Sequence, residues 1–170
     1  DILKKGLSKS SEKESLQYNL GVIYDRAGRF EESMAAMQHV LKLNPDNASA
    51  MNYMGYSYAD RNIKLDEALE LLQKALLLKP NDGYMTDSLG WVYFRKGNYK
   101  EAQRLIEKAH ALVPGEATII EHLGDVFLAE GRKEPALKFY REALLSLEKG
   151  EKGDPKDRER LTKKIEDLSH

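Results

Sequence analysis

Cysteine is absent from the 170-residue chain, and proline is scarce, with five residues. Without cysteine the chain has no disulfide, no thiolate nucleophile and no zinc–thiolate site. It also lacks any run approaching the roughly 20 apolar residues of a transmembrane helix, so we expect no direct membrane span. Lys plus Arg number 27 and Asp plus Glu 28, giving a net charge of -1. Because nucleic-acid-binding proteins are usually basic, nucleic acid is not the expected partner.

Motifs for catalysis and metal binding are missing as well. None of the four histidines stands three or four residues from another, so no helix presents a paired set of metal ligands. The chain has neither a nucleophile-elbow motif nor a phosphate-binding loop motif. The acidic pair Glu31-Glu32 opens a predicted helix, where it complements the helix dipole. We therefore expect no enzyme activity, no cofactor and no metal.

Glycine recurs at an almost constant interval. Gly21, Gly55, Gly90 and Gly124 are separated by 34, 35 and 34 residues. Each follows a large apolar residue and precedes an aromatic residue by three positions. A second glycine closes three of the four units, and Asn62 stands near that place in the second unit. Self-similarity at a fixed period of this length indicates a repeat architecture.

Each unit has the pattern of two amphipathic helices. In the third unit, apolar residues recur at three- and four-residue spacing over 85–96 and over 99–112. The dipeptide Gly97-Asn98 marks the turn between them. Pro114 ends the second helix, because proline cannot continue the hydrogen-bond ladder. The pattern predicts a helical hairpin that is repeated four times.

The complete motif resembles the tetratricopeptide repeat, a helix–turn–helix unit of 34 residues. The resemblance implies an all-α fold, a right-handed α-solenoid in which the first helix of each repeat (helix A) lines a concave groove and the second (helix B) lies outside. Because the motif residues are structural, they say little about function. In the third unit they are Leu89, Gly90, Tyr93, Gly97, Tyr99, Ala102, Ile106, Ala109 and Pro114.

The repeat boundaries follow from these positions. The extra residue of the second repeat is expected in its turn, at 60–64. Residues 1–13 align with the end of a helix B, so we expect further repeats before residue 1. Residues 151–170 are predicted to form a linker and a C-terminal capping helix, which a solenoid needs to cover its last apolar face. Residues 14–150 form four predicted repeats, at 14–47, 48–82, 83–116 and 117–150.

Groove-facing residues are expected on the side of each helix A that lies opposite the motif residues. Tyr56 and Trp91 occupy equivalent places on successive helices A, and such aromatic residues are frequent hot spots for a bound peptide. Asn52 carries an amide that both donates and accepts hydrogen bonds. The alternative is that Tyr56 and Trp91 fill gaps between repeats. The predicted partner-binding groove comprises Tyr18, Val22, Asn52, Tyr56, Asp87, Trp91, Glu121 and Asp125.

Acidic residues concentrate in the C-terminal half of this predicted groove, at Asp87, Glu121 and Asp125. We therefore expect a partner segment that is apolar to aromatic, with basic character at that end. Relatives that bind chaperone tails hold a C-terminal carboxylate with Lys and Arg on helices A. The matching places of the first repeat carry Tyr18 and Val22, so that mode of binding is not expected here.

Residues 52–61, 87–93 and 121–125 are similar to a bacterial subgroup of these repeat proteins, often outer-membrane lipoproteins or other envelope proteins that act as adaptors. This resemblance implies a periplasmic or cell-envelope location. We predict a non-enzymatic scaffold that binds a protein or peptide partner in the concave groove. Two alternatives remain: self-assembly into a homo-oligomer, and RNA binding, which the neutral charge opposes because phosphate contacts need clustered Lys and Arg.

Overall fold

The computed structural model describes residues 2–149 and 154–169, with side chains from residue 11 onward. Within these ranges every regular element is an α-helix, and there are nine of them. The predicted all-α class is therefore confirmed. No helix in the described ranges combines the length and the apolar character that crossing a bilayer would require. The chain divides into two compact units, Asp1–Pro80 (unit 1) and Asn81–His170 (unit 2).

Unit 1 contains two helical hairpins. Each hairpin joins a helix A to a helix B through a short turn, as the repeat pattern predicts. The helices are α1 (Ile2–Arg26), α2 (Phe30–Leu43), α3 (Ala48–Asp60) and α4 (Leu65–Leu78). Helices B bury one stripe, because residues three and four apart share a helix face. In α2 the buried residues are Ser33, Met34, Ala36, Met37 and Val40.

Helix α1 differs from the boundary expected at residue 14. It runs without a break from Ile2 to Arg26, whereas the sequence pattern assigns 1–13 to the end of a preceding helix B. The first proline of the chain is Pro45, so nothing in this segment interrupts the hydrogen-bond ladder. Gly6 is the one weak point before the repeat, and a single glycine costs a helix only about 1 kcal/mol. The segment therefore extends the helix A of the first repeat.

The turns between helices A and B share a left-handed residue. Gly28, Gly97 and Gly131 have φ values of 73°, 77° and 76°, and Asn62 takes the same place with φ 56°. Glycine adopts this conformation at no steric cost, and asparagine tolerates it better than most residues. The second repeat adds a further left-handed residue, Lys64, with φ 47°. Its extra residue thus lies in the turn, where the sequence predicted it.

Unit 2 contains two further hairpins and a final helix. Its helices are α5 (Gly83–Arg95), α6 (Tyr99–Leu112), α7 (Ala117–Ala129), α8 (Lys133–Lys149) and α9 (Pro155–Ser169). One buried cluster joins α6 to α7 through Ala102, Ile106, Ala109, Ile119, Leu123 and Val126. A second cluster joins α7, α8 and α9 through Ile120, Phe127, Ala136, Tyr140, Ala143 and Leu161.

The hairpin of α7 and α8 shows why the repeat needs glycine on helix A. A Cβ atom at Gly124 would lie 2.4 Å and 2.5 Å from two carbons of the Tyr140 ring. Atoms cannot approach so closely, and an aromatic ring cannot bend away as an aliphatic side chain can. The absence of a side chain at Gly124 therefore allows the two helices to pack at their observed separation.

Helix α9 lies where the apolar stripe at the C-terminal end of the sequence predicts a helix. Asp154 precedes it, and its Oδ1 accepts a hydrogen bond of 2.9 Å from the main-chain N–H of Lys156. Leu161 is fully buried, and Ile165 and Leu168 pack against the same cluster. Residues 150–153, which comprise the end of the fourth predicted repeat and the start of the predicted linker, lie outside the described residues.

Candidate partner-binding site

The eight predicted groove residues are divided equally between the two units. Unit 1 holds Tyr18 and Val22 on α1, and Asn52 and Tyr56 on α3; all four side chains are half-buried. Unit 2 holds the remaining four on α5 and α7. The two sets have different surroundings and are described separately.

A cleft in unit 1 lies between the two helices A, α1 and α3. Its volume is about 390 Å³. Tyr18, which the sequence assigns to the groove, forms part of its wall. The other lining side chains are polar, and Glu14 is the charged one among them. The complete lining is Glu14, Ser15, Tyr18, Asn19, Asn47 and Ser49.

Asn47 fixes one end of the cleft. Its Oδ1 accepts a 2.8 Å hydrogen bond from the main-chain N–H of Ala50 and so caps α3. Its Nδ2 donates to Glu14 Oε1 at 2.6 Å, and Asn44 Nδ2 donates to the same oxygen at 3.1 Å. One carboxylate therefore holds α1 against the start of α3, which positions the two walls of the cleft.

The opposite end of the α1–α3 contact is held by Asp25. Tyr53 donates its hydroxyl hydrogen to Asp25 Oδ2 at 2.9 Å, and Arg61 donates to Oδ1 at 3.0 Å. Burial and the Asp25 carboxylate together raise the pKa of Tyr53 to about 12. The Tyr18 ring meets the Tyr53 ring edge-on, with centroids 6.1 Å apart. Tyr18 therefore packs against a neighbouring ring whose hydroxyl is held by Asp25.

Asn52 lies on the same side of α3 as the predicted groove. Its Oδ1 is enclosed, and no hydrogen-bond donor reaches it within the described part of the chain. A buried carbonyl oxygen without a donor is costly, and natural proteins leave few of them. The same enclosure keeps this oxygen out of a partner's reach in the described conformation, so the role of Asn52 in holding a main-chain N–H of a partner stays a prediction.

In unit 2 the structure gives Asp87 a different role from the predicted one. Its side chain is 7% exposed, and both carboxylate oxygens lie 3.0 Å from Nδ1 of His122 on α7. Burial by itself would lower the pKa of His122, but the Asp87 carboxylate outweighs that effect and raises it. A carboxylate that is buried against an imidazole cannot also bind a basic partner at the surface.

Trp91 also belongs to the interior of unit 2, with 6% of its area exposed. Its ring stacks nearly parallel to His122, with centroids 4.0 Å apart, and to Phe94 at 4.6 Å. The alternative reading of the sequence, in which this tryptophan fills a gap between repeats, describes its surroundings. Packing against the next helix A accounts for its size and position.

Glu121 and Asp125 are covered by the C-terminal helix. Arg160 donates to both Glu121 oxygens, at 2.8 Å and 2.7 Å. Lys164 Nζ donates to Glu121 at 2.8 Å and to Asp125 at 2.5 Å. Tyr140 donates its hydroxyl hydrogen to Asp125 at 2.6 Å. Since α9 itself supplies the cations, the expectation of a free acidic surface that attracts a basic partner is wrong for these residues.

The acidic residues of α1, α5 and α7 therefore share a use that sequence reasoning missed. Asp25, Asp87 and Glu121 each bind a residue of the helix that follows in the helix A position. Asp25 binds Tyr53 of α3 and Arg61 at the C-terminal end of α3. Asp87 binds His122 of α7, and Glu121 binds Arg160 of α9. One signal was present in the sequence: Arg160 and Lys164 are four residues apart and share a helix face, and Lys164 is also three residues from Leu161.

Comparison with known proteins identifies the repeat. The family description "Tetratricopeptide repeat" matches residues 84–149 and again residues 15–47. A TPR repeat-containing protein of Pseudomonas aeruginosa is 33% identical over 100 residues, which make up 59% of this chain and 17% of that protein. The peroxisomal targeting signal receptor of Candida albicans is 33% identical over 87 residues, 51% of this chain and 14% of the receptor. The chain thus spans less than a fifth of either relative.

A solved structure gives the same fold. The structure of pilF from Pseudomonas aeruginosa superposes with a TM-score of 0.74 at 19% identity and covers 94% of this chain and 69% of its own. The hairpins, their left-handed turns and the family matches together define a helical repeat protein. The chain belongs to the tetratricopeptide repeat proteins, as its motif predicted.

Proposed function

We propose that the chain is a non-enzymatic scaffold and that unit 1 binds an extended segment of a partner protein in the cleft between α1 and α3. The observation that carries this proposal is the cleft itself, whose wall contains the half-buried Tyr18. In unit 2, by contrast, the predicted groove residues are occupied by contacts within the chain. The first repeats therefore present the better surface for a partner.

The lining of the cleft indicates the chemistry of that segment. Ser15, Asn19 and Ser49 offer hydroxyl and amide groups that donate and accept hydrogen bonds, as a peptide main chain requires. Glu14 is the one charged residue among the six that line the cleft, and its Oε1 already accepts two hydrogen bonds. The Tyr18 ring offers an apolar surface. The proposed ligand is an extended, uncharged segment with an apolar or aromatic side chain.

The comparisons support peptide recognition in general terms. The Candida albicans relative is named as a receptor for a targeting signal, and the similar region covers about half of this chain. The resemblance to bacterial envelope adaptors adds the proposal that the protein works in the periplasm. Recovery of the protein in the cytosolic fraction of the cells that make it would contradict this location.

Selection of peptides from a random phage-displayed library tests the binding proposal. The chain is the bait, and a selected peptide is then titrated against the wild type, Tyr18→Ala and Tyr84→Ala. Tyr84 is a matched control, since it is an exposed tyrosine outside the cleft lining. We expect Tyr18→Ala to weaken binding about thirtyfold or more, as at an interface hot spot. Equal losses in both variants, or no selected peptide, would contradict the proposal.

A further inference from the structure

Helix α9 packs on the last hairpin through one apolar side and one pair of basic side chains. Its apolar side consists of Leu161, which is fully buried, with Ile165 and Leu168 packed beside it. Its polar contacts come from Arg160 and Lys164, four residues apart. The surface beneath α9, which we call the terminal face, consists of Ile120, Glu121, Asp125, Phe127, Tyr140 and Ala143.

The polar half of the terminal face is built for a cation. Glu121 is 5% exposed and receives the guanidinium of Arg160 through two nearly equal hydrogen bonds, a fork geometry that fixes orientation as well as charge. Lys164 bridges Glu121 and Asp125, and its Nζ also lies 5.0 Å from the centroid of the Tyr140 ring. Two carboxylates beside a buried apolar surface need such partners, because an unpaired buried charge is strongly unfavourable.

Helix α9 has far fewer buried residues than α7, one of the two helices it covers. Among its 15 residues Leu161 alone is buried, whereas α7 buries nine of 13. The Arg160 side chain remains 48% exposed, so water competes with its contact to Glu121. Elements with few buried apolar contacts open at a lower free energy than the core does. Helix α9 can therefore leave the terminal face while α7 and α8 stay folded.

We propose that the terminal face is a second docking surface, which binds an amphipathic helix of a partner protein, and that α9 is the internal occupant this helix displaces. The partner helix carries Arg and Lys four residues apart, with aliphatic residues one, five and eight positions after the Arg, as α9 does. Charge complementarity with Glu121 and Asp125 sets the polarity of the docked helix. This surface belongs to unit 2 alone, and the proposal for it does not rest on the one for the cleft of unit 1.

Hydrogen exchange on the full chain tests the first step. We expect the main-chain amides of α9 to exchange at least about tenfold faster than those of α7, because opening of α9 exposes them without unfolding the hairpin. Exchange of α9 and α7 at the same rate would mean that α9 leaves only on global unfolding, and it would overturn the proposal.

Binding in trans tests the second step. The probe is a synthetic peptide with the sequence of residues 154–169, labelled with a fluorophore and titrated into the full-length chain. We expect Leu161→Ala in the chain to tighten peptide binding at least about tenfold, because it weakens the internal competitor at a fully buried position. Arg160→Ala, at a half-exposed residue that does not endanger the fold, should act in the same direction. Leu145→Ala, at an exposed leucine of α8, is the matched control and should behave as the wild type.

A peptide carrying Arg160→Glu and Lys164→Glu should lose binding to every variant, since its charges then repel Glu121 and Asp125. Undiminished binding of this peptide, or no binding of the original peptide to either weakened chain, would overturn the proposal. Light scattering completes the test. A concentration-dependent dimer that excludes the peptide would assign the terminal face to the α9 of a second copy and would overturn the assignment to a separate partner.

Discussion

The Nδ1 atom of His122 lies 3.0 Å from each carboxylate oxygen of Asp87, and the two side chains are 6% and 7% exposed. They join α5 to α7, the first helices of successive repeats. Burial opposes the charged imidazole, but Asp87 holds the pKa of His122 above its ordinary value of 6.5, with smaller help from Asp125 and Glu121. The contact between these repeats is therefore ionic when His122 is protonated, and it depends on pH.

The first prediction concerns the direction of that pH dependence. Because His122 binds its proton more tightly in the folded chain, the pair stabilises fully below pH 6.5, and the stabilisation is lost as pH rises through the raised folded-state pKa. We expect the free energy of unfolding in urea to fall more steeply with rising pH in the wild type than in His122→Gln. In Asp87→Asn the effect of burial on His122 is no longer outweighed, so its folded-state pKa should fall below 6.5. The contribution of His122 to the free energy of unfolding should then rise with pH instead of falling. Parallel pH profiles for the wild type and His122→Gln would contradict this account.

Glu121 gives the opposite pH dependence. Burial opposes its charge, but Arg160 and Lys164 outweigh burial and lower the pKa of Glu121 below 4.5. Its contribution is therefore present above pH 4.5 and is lost as pH falls through the folded-state pKa. We expect Glu121→Gln to weaken α9 docking by about 1.5–3 kcal/mol at pH 7, as the loss of charged hydrogen bonds does.

The weaker docking of α9 in Glu121→Gln can be measured as faster hydrogen exchange of α9 relative to α7. The difference between the wild type and Glu121→Gln should shrink as the pH falls through the lowered folded-state pKa of Glu121, because the wild-type carboxylate becomes protonated there. A loss of protection spread equally over α7 and α9 would instead indicate that Glu121 acts on the whole hairpin.

Glycine-to-alanine substitution should destabilise the fold by different amounts at Gly124 and at Gly21. At Gly124 a new Cβ would meet the rigid Tyr140 ring at 2.4 Å, while at Gly21 the nearest atom is the flexible terminal methyl of Met37 at 2.7 Å. We expect Gly124→Ala to destabilise by about 1–3 kcal/mol through overpacking. Gly21→Ala should cost less, since Met37 can move and alanine favours the helix by up to about 1 kcal/mol. Urea unfolding of both variants provides the comparison, and equal losses would show that ring rigidity is not the cause.

Asn47 should contribute separately to the stability of the fold and to the shape of the cleft. It caps α3 through Oδ1 and holds Glu14 through Nδ2. Asn47→Ala removes both and should cost about 1–2 kcal/mol, whereas Asn47→Ser keeps a capping oxygen and should cost less. In both variants Glu14 loses its 2.6 Å contact. If the cleft depends on that contact, both should weaken binding of a peptide selected on the wild type, and Asn47→Ser should do so with little loss of stability.

The sequence predicts most of the fold because the repeat positions encode local constraints. Asn62 stands at a place occupied by glycine in the other repeats, and it adopts the same left-handed conformation. Pro114 follows α6, whose end it was expected to mark. The apolar periodicity that predicts a final helix in the sequence also places Leu161, Ile165 and Leu168 on its buried side. These features depend on residues close together in the chain, so they can be read from one repeat at a time.

The candidate site could not be predicted as well, because it depends on contacts between repeats. Helical periodicity places Asp87 and Trp91 on one side of helix A. It does not say that His122, 35 residues later, meets both of them. In the same way, Glu121 has the same sequence pattern whether solvent or Arg160 faces it. Contacts across one full repeat decide which polar residues remain available to a partner.

The left-handed turn between α3 and α4 allows the second repeat to contain one residue more than the others. A residue inserted within α4 would rotate every following side chain by about 100° and carry Leu72 and Ala75 away from the core. In the turn, Asn62 and Lys64 absorb the added residue and leave both helices in phase. A turn of this kind accommodates an inserted residue without changing the helical periodicity on either side. Repeats of unequal length can therefore be joined in one array while the buried stripe of each helix is kept.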